Sequence, residues 1–166
     1  MADFLRKLVK EVVPQSTAEK ITTIWTNLVN LTLKNTQQNL ILFHERMIDL
    51  IQAINEGMST GNMTFVMQAL AENQIPSNLV NFSFADVPRG IVNEVTLFFT
   101  EISKGQSALL LTQQFVIKPL NTFLESAQPS DATRFNQLIE TLIAHITAVP
   151  DDIQLFITSE TSAPLI

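Results

Sequence analysis

The chain has no cysteine and few charged residues. Of its 166 residues, 16% are charged and 46% are hydrophobic, whereas an average soluble domain is about 25% charged. Without cysteine there is no disulfide framework, no thiolate chemistry and no cysteine-based metal site. Histidine occurs only at His44 and His145. His44 and Glu45 resemble the start of a zinc-binding HExxH motif, but Ile48 stands where the second histidine is required. Both histidines are therefore predicted to lie at the edge of the core or on the surface.

Long apolar runs and catalytic motifs are also missing. No apolar run approaches the roughly 18 residues needed to span a bilayer, and the N-terminus lacks the pattern of a signal peptide. The four glycines are isolated, so no glycine-rich phosphate loop or nucleophile elbow is present. Lysine and arginine are scattered singly in a chain of net charge −6, which disfavours nucleic-acid binding. We expect a cytoplasmic, non-enzymatic protein with no transmembrane segment, no nucleic-acid partner, and no catalytic or metal-binding residues.

What the chain has in excess is apolar surface. Its mean hydropathy of +0.21 is high for a soluble monomer, and its length suits one domain with a substantial core. Such surplus apolar surface has to be shielded from water by a partner subunit, a lipid-like ligand or a membrane surface. We favour a partner subunit, so a homodimer is expected.

Residues 91–124 have the strongest helical pattern. Their apolar side chains recur mostly at steps of three, four or seven, and residues 104–107 interrupt the pattern. This spacing predicts two apolar helices that meet at a tight corner. Pro119 either kinks the second helix or marks the first turn of a new one. Four aromatic residues supply the bulk for a core: Phe98, Phe99, Phe115 and Phe123.

Residues 1–14 predict a short amphipathic helix that ends at Pro14. We favour a helix that caps the domain or packs on a second subunit over one that docks on a membrane, because its polar face is short and mixed in charge. Residues 15–157 are predicted to form the helical domain. Residues 158–166 are predicted to be a tail or the start of a following domain.

Capping signals and apolar periodicity place further helices within the domain. Ser16 begins a capping box, and the polar residues 34–39 predict that the helix after it bends or breaks there. The apolar stripe of residues 40–54 predicts a buried helix, with Gly57 at its C-terminal cap and Asn62 capping the next helix.

Residues 73–89 are the least regular part of the chain. Pro76 and Pro88 argue against one continuous helix, and the alternation of Phe82 and Phe84 would need a partner strand that the chain does not offer. We expect a packed loop with at most one helical turn. The last clear helix follows later, with apolar residues at Phe135, Leu138, Leu142 and Ile146. Together these patterns predict an all-α domain of about six to seven helices.

Several segments together resemble the N-terminal sensor domain of RsbR-type stressosome proteins. Residues 18–28 (AEKITTIWTNL) look like its opening helix, and residues 43–54 (FHERMIDLIQAI) look like its next long helix. Residues 102–124 and 135–156 resemble its closing pair of helices. Residues 160–166 (ETSAPLI) resemble the phrase at which the STAS domain of those proteins begins.

This resemblance implies a single globin-like domain, in which helices pack pairwise at steep angles. It implies a non-haem, dimeric sensory domain that works in a stress-response complex with STAS-domain proteins and holds no haem cofactor. Related domains hold a fatty-acid-like ligand in the former haem site. Residues 80–101, where a proximal histidine would be expected, contain none. The chain departs from the family in two ways: the helical linker before STAS is missing, and none of the phosphorylated or kinase-binding STAS positions is present.

The main hypothesis is therefore a non-enzymatic regulatory domain whose signal is an apolar ligand or a change in dimer packing. The alternative is an amphipathic structural protein, or one that coats lipid or granule surfaces. An enclosed cavity would favour the sensor, and a flat exposed apolar stripe would favour the coat. Five residues are predicted to line either a ligand pocket or the core, two roles that the sequence does not distinguish: Phe43, Met47, Phe98, Phe115 and Phe123.

Overall fold

The computed structural model describes residues 16–128 and 131–156, and every regular element among them is helical. These elements are α1 (Thr17–Leu31), α2 (Gln37–Ser59), α3 (Met63–Glu72), α4 (Ile75–Ala85), α5 (Ile91–Ile102), a first 3₁₀ segment (Gly105–Thr112), α6 (Gln114–Glu125), α7 (Ala132–Ala148) and a second 3₁₀ segment (Pro150–Phe156). The predicted all-α class is confirmed, and the two 3₁₀ segments bring the described helical elements slightly above the predicted number. The helix predicted for residues 1–14 and the tail 158–166 lie outside the described residues.

The helices pack in two rows. In one row α2 packs on α5, and α5 packs on α7. In the other row α1 contacts α3, α3 contacts α4, and α4 packs on α6. The rows join where α1 and α3 pack on α2 and where α4 packs on α5. Apolar faces are buried between the rows, as in other helix-on-helix folds, and α5 has neighbours on several sides.

A chain of aromatic rings runs through the core. The ring centroids of Phe98 and Phe99 are 5.3 Å apart, in an edge-to-face arrangement. The ring of Phe99 lies 5.5 Å from that of Phe123, which lies 5.0 Å from that of Phe135. All four rings are buried, and contacts of this kind contribute about 0.5–1.5 kcal/mol beyond area burial. These rings link α5, α6 and α7, as the core role predicted for Phe98, Phe99 and Phe123 requires.

Residues 73–89 contain the helix α4, so the prediction of a packed loop was wrong. Pro76 lies in the first turn of α4, where its missing N–H breaks no helical hydrogen bond. Pro88 lies beyond the helix end. The ring of Phe82 stacks on that of Trp25 with centroids 5.8 Å apart, so α4 gains a partner in α1 that local sequence does not reveal.

The corner between α5 and α6 is longer than predicted. A tight turn was expected at residues 104–107. Instead, the first 3₁₀ segment begins there, at Gly105, and α6 begins only at Gln114. The hydroxyl of Ser107 donates a hydrogen bond to the side-chain oxygen of Asn55 on α2, which ties this corner to the neighbouring helix. Pro119 lies inside α6 and does not start a new helix.

The end of α2 also differs from the prediction. Gly57 lies inside α2 and is buried, where α2 meets α1 and α3. Gly61 takes the left-handed conformation instead, with φ 83°, a position that glycine favours after a helix. The N–H of Asn62 then donates to the carbonyl of Gly57 at 2.9 Å. The prediction chose the wrong glycine because both stand near the end of the apolar stripe.

Replacing Thr36 with Ala should destabilise the protein by about 1 kcal/mol, the usual cost of losing a helix N-cap. The Oγ1 of Thr36 accepts a hydrogen bond from the N–H of Asn39 at 3.1 Å. Asn62 is a matched control, because it stands at the N-cap position of α3 but its side chain makes no capping bond. Asn62→Ala should cost less than about 0.5 kcal/mol. Urea denaturation measures both variants, and equal losses would contradict this assignment of the caps.

Candidate functional site

Four of the five predicted pocket residues lie in the core. Phe43, Met47 and Phe98 have no exposed surface, and Phe123 is 1% exposed. Phe115 is half-buried, and it alone among the five lines one of four clefts in the described part of the chain. The structure therefore does not bring the five together at a cleft, and Phe115 marks the candidate site.

The cleft at Phe115 lies between α4 and α6 and has a volume of about 500 Å³. Val80, Phe115 and Pro119 form its apolar lining. Polar side chains complete the lining: Ser77, Asn81, Gln114, Lys118 and Thr122. Ligand sites typically measure about 300–1,000 Å³ and combine apolar walls with a few polar groups. The cleft falls within this range of volume, but it is open to solvent, and five of the eight described residues in its lining are polar.

Helical spacing explains how this lining is assembled. Gln114, Lys118 and Thr122 recur every four residues on α6, so they lie along one ridge. Ser77 and Asn81 have the same spacing on α4. The packing of α4 on α6 brings the two ridges to opposite sides of the apolar lining.

Of the described residues that line this cleft, Lys118 alone is charged. Its amine has no carboxylate within ion-pair distance among the described residues, whereas Lys20, Lys104 and Arg134 each have one. Lys118 is also exposed. An ammonium group beside an apolar lining can pair with the carboxylate or phosphate of an amphipathic anion.

Each histidine pairs with one carboxylate. His44 Nδ1 lies 2.7 Å from an oxygen of Glu94 and joins α2 to α5. His145 Nε2 lies 2.8 Å from an oxygen of Asp152 and joins α7 to the second 3₁₀ segment. The side chain of His44 is 52% exposed and that of His145 is 12% exposed, which confirms their predicted places on the surface and at the core edge. Within residues 16–128 and 131–156, no three histidine or carboxylate side chains are grouped to hold a metal ion.

Comparison of the chain with protein-family models, with curated proteins and with solved structures gives no match. The similarity to RsbR-type sensor domains and the globin-like arrangement therefore stay predictions. In the part of the chain that the structure describes, no helix has both the length and the apolar character needed to cross a membrane.

Most of the cleft was not predicted from the sequence. Ser77, Val80 and Asn81 fall in residues 73–89, where the prolines suggest a loop, so their common face was missed. A signal for the α6 side exists, since the polar residues Gln114, Lys118 and Thr122 recur at every fourth position of this helix. That pattern shows which side chains share a ridge, but it does not show that α4 lies opposite.

Proposed function

We propose that the protein is a non-enzymatic sensory or regulatory domain that binds an amphipathic anion, such as a fatty acid, between α4 and α6. One observation carries this proposal: an apolar lining at Phe115 adjoins Lys118, which has no carboxylate partner among the described residues. An alkyl chain would contact Val80, Phe115 and Pro119, and its carboxylate would pair with the Lys118 ammonium.

The position of the cleft suggests how binding would be signalled. α4 packs on the central helix α5, and α6 packs on the first 3₁₀ segment. A ligand that binds one arrangement of α4 and α6 more tightly than another shifts the population toward that arrangement. In this proposal the shift alters contacts with a second copy of the chain or with STAS-domain proteins in a cytoplasmic stress-signalling complex. The non-haem, globin-like role is the one that the sequence resemblance implies.

Native mass spectrometry before and after solvent extraction tests this proposal. A dimer with extractable mass of about fatty-acid size, a few hundred daltons in a cleft of this volume, would support it. A dimer without extractable mass that also fails to bind added fatty acid would contradict the ligand. A ladder of large ligand-free assemblies would contradict the sensor and favour a coat protein.

Lys118→Gln should weaken the binding of a fluorescent fatty-acid analogue about tenfold, since a hydrogen bond to a charged group contributes about 1.5–3 kcal/mol. Stability should change little, because Lys118 is exposed. Lys34→Gln is the matched control, because it removes a cation that is also exposed and that lies outside the cleft. Titration with the analogue measures both variants. An equal loss in the control would show non-specific attraction and contradict the site.

A structural or surface-coating role is the second candidate. Large apolar side chains are exposed at Leu33, Phe65 and Phe84, with 75%, 51% and 55% of their surface accessible. They belong to different parts of the fold, so several faces could contact lipid or another chain. Flotation with phosphatidylcholine vesicles tests this role. Binding that Leu33→Ser and Phe84→Ser abolish, and that Lys118→Gln leaves unchanged, would favour the coat.

A further inference from the structure

The second 3₁₀ segment, residues 150–156, is held to the domain at few points. It contacts α6, α7 and the first 3₁₀ segment. Phe156 is its one buried residue. Four of its seven residues are exposed: Pro150, Asp151, Ile153 and Gln154. Segments with few buried apolar contacts open more easily than core helices, so this anchoring favours local opening while the helices stay folded.

Two polar contacts hold the segment against the helices. The side-chain amide of Asn121 on α6 donates a hydrogen bond to the carbonyl of Leu155 at 3.1 Å. On α7, Nε2 of His145 lies 2.8 Å from an oxygen of Asp152. Asn121 is 9% exposed and the side chain of His145 is 12% exposed. Because polar contacts are stronger where water is largely excluded, both contribute to docking of the segment.

The contact at Asn121 satisfies only half of its amide. The Oδ1 atom is buried and accepts no hydrogen bond within residues 16–128 and 131–156. A buried acceptor without a donor raises the free energy of the docked arrangement. Opening of the segment would let water reach this atom. The docked and open arrangements are therefore closer in free energy than a fully paired amide would make them.

Helix α6 connects this contact to the α4–α6 cleft. Lys118 lines the cleft, and Asn121 follows it three residues later on the same helix. Side chains three residues apart are neighbours on a helix surface. Thr122, the residue after Asn121, also lines the cleft. A rotation or shift of α6 that accommodates a ligand therefore moves the donor of the hydrogen bond to Leu155.

We propose that a ligand in the α4–α6 cleft releases the second 3₁₀ segment, and that Asn121 is the positioning residue that couples the two. This coupling rests on the proposed function, because it requires a ligand in that cleft. A ligand that enters between α4 and α6 displaces α6. The hydrogen bond from Asn121, at 3.1 Å, tolerates little displacement, since a contact beyond about 3.5 Å is no longer a hydrogen bond. The segment then opens.

The coupling acts in both directions, because thermodynamic linkage is reciprocal. If the ligand favours the open segment, a substitution that opens the segment favours the ligand. Variants outside the cleft should therefore bind the ligand more tightly than the wild type does. A purely structural role of Asn121 or His145 would leave the affinity unchanged or weaken it, so the sign of the change separates the two roles.

Hydrogen–deuterium exchange measured by mass spectrometry tests the release. The full chain is compared with and without sodium oleate below its critical micelle concentration. Titration with the fluorescent fatty-acid analogue measures binding in the same preparation. We expect the amides of residues 150–156 to exchange about fivefold faster with oleate, at the lower end of typical couplings between two sites, while α5 keeps its protection.

Two variants test the reverse direction. Asn121→Leu removes the hydrogen bond to Leu155, and His145→Ala removes the contact with Asp152 at a residue that does not line the cleft. Each should bind the analogue about fivefold more tightly and should show faster exchange of residues 150–156 without ligand. His44→Ala is the matched control, because it removes the other histidine–carboxylate pair, between α2 and α5. Its affinity should stay within about twofold of the wild type.

The two measurements separate failure of the coupling from failure of the proposed function. If the wild type does not bind the analogue, the proposed function is wrong and the coupling fails with it. If it binds, but residues 150–156 exchange at an unchanged or slower rate, the coupling alone is wrong. A folded variant that does not bind more tightly, or a control that does, also overturns the coupling. Circular dichroism confirms the fold of each variant, and His145→Ala decides alone if Asn121→Leu loses helical content.

Discussion

Replacing Phe123 with Ala should lower the free energy of unfolding by about 3–5 kcal/mol, the largest loss that we expect from a single core substitution. The side chain is 1% exposed, and its ring lies between those of Phe99 and Phe135, at centroid distances of 5.5 and 5.0 Å. Removing it leaves a cavity where α5, α6 and α7 meet. Urea denaturation, followed by circular dichroism and by the fluorescence of the single tryptophan, Trp25, measures the loss.

Phe115→Ala is the matched control for this experiment, because it removes the same side chain from the same helix. Phe115 is half-buried and lines the α4–α6 cleft. Its removal exposes less buried surface and opens no enclosed cavity, so the cost should be about 1–2 kcal/mol. Ligand retention should fall more than stability does. If both variants lost the same free energy of unfolding, Phe115 would be a core residue and the cleft would not be a ligand site.

Replacing Gly57 with Ala should destabilise the protein by about 1–3 kcal/mol, the usual cost of overpacking a core. Alanine is the better helix former by about 1 kcal/mol, so a propensity argument alone predicts the opposite sign. A Cβ atom at Gly57 would lie 2.4 Å from Cγ2 of Val66 and 2.9 Å from Cγ2 of Thr17. Val66 is fully buried and has a stiff β-branched side chain, so α1 and α3 would have to shift away from α2.

A double-mutant cycle with Val66→Ala tests this contact. Val66→Ala removes the methyl group that the new Cβ would meet, at the cost of a small cavity. The two substitutions together should therefore cost less than the sum of their separate effects, with a coupling of about 0.5–3 kcal/mol. Thermal or urea unfolding of the four proteins measures the coupling. Strictly additive costs would show that the strain lies elsewhere.

Helical periodicity predicted much of the fold correctly. The stripe that contains Phe43, Met47, Leu50 and Ile54 lies on the buried face of α2. This succeeded because the period of 3.6 residues is a local property of the chain, so spacing alone shows which side chains share one face. The same argument holds for α7, where Phe135 begins the buried stripe.

The roles of proline and glycine near helix ends were predicted less well, because each of these residue types has two physical roles in a helix. A proline in the interior of a helix removes a backbone hydrogen bond and kinks or breaks the helix, whereas a proline in the first turn is tolerated. Pro76 lies in a first turn. A glycine can end a helix or allow two helices to approach closely, and Gly57 has the second role while Gly61 has the first. In both cases the deciding neighbour is distant in sequence: Trp25 packs against α4, and Val66 packs against Gly57.

By itself, the sequence determined an all-helical chain with much apolar surface, no cysteine chemistry and a helix that carries both Phe115 and Phe123. Only the tertiary structure decided that Phe123 is core and that Phe115 lines a cleft. The reason is that periodicity shows which residues share a face, whereas burial depends on what that face meets. Phe123 meets the rings of Phe99 and Phe135. Phe115 meets the open space between α4 and α6, and the packing of distant helices creates that space.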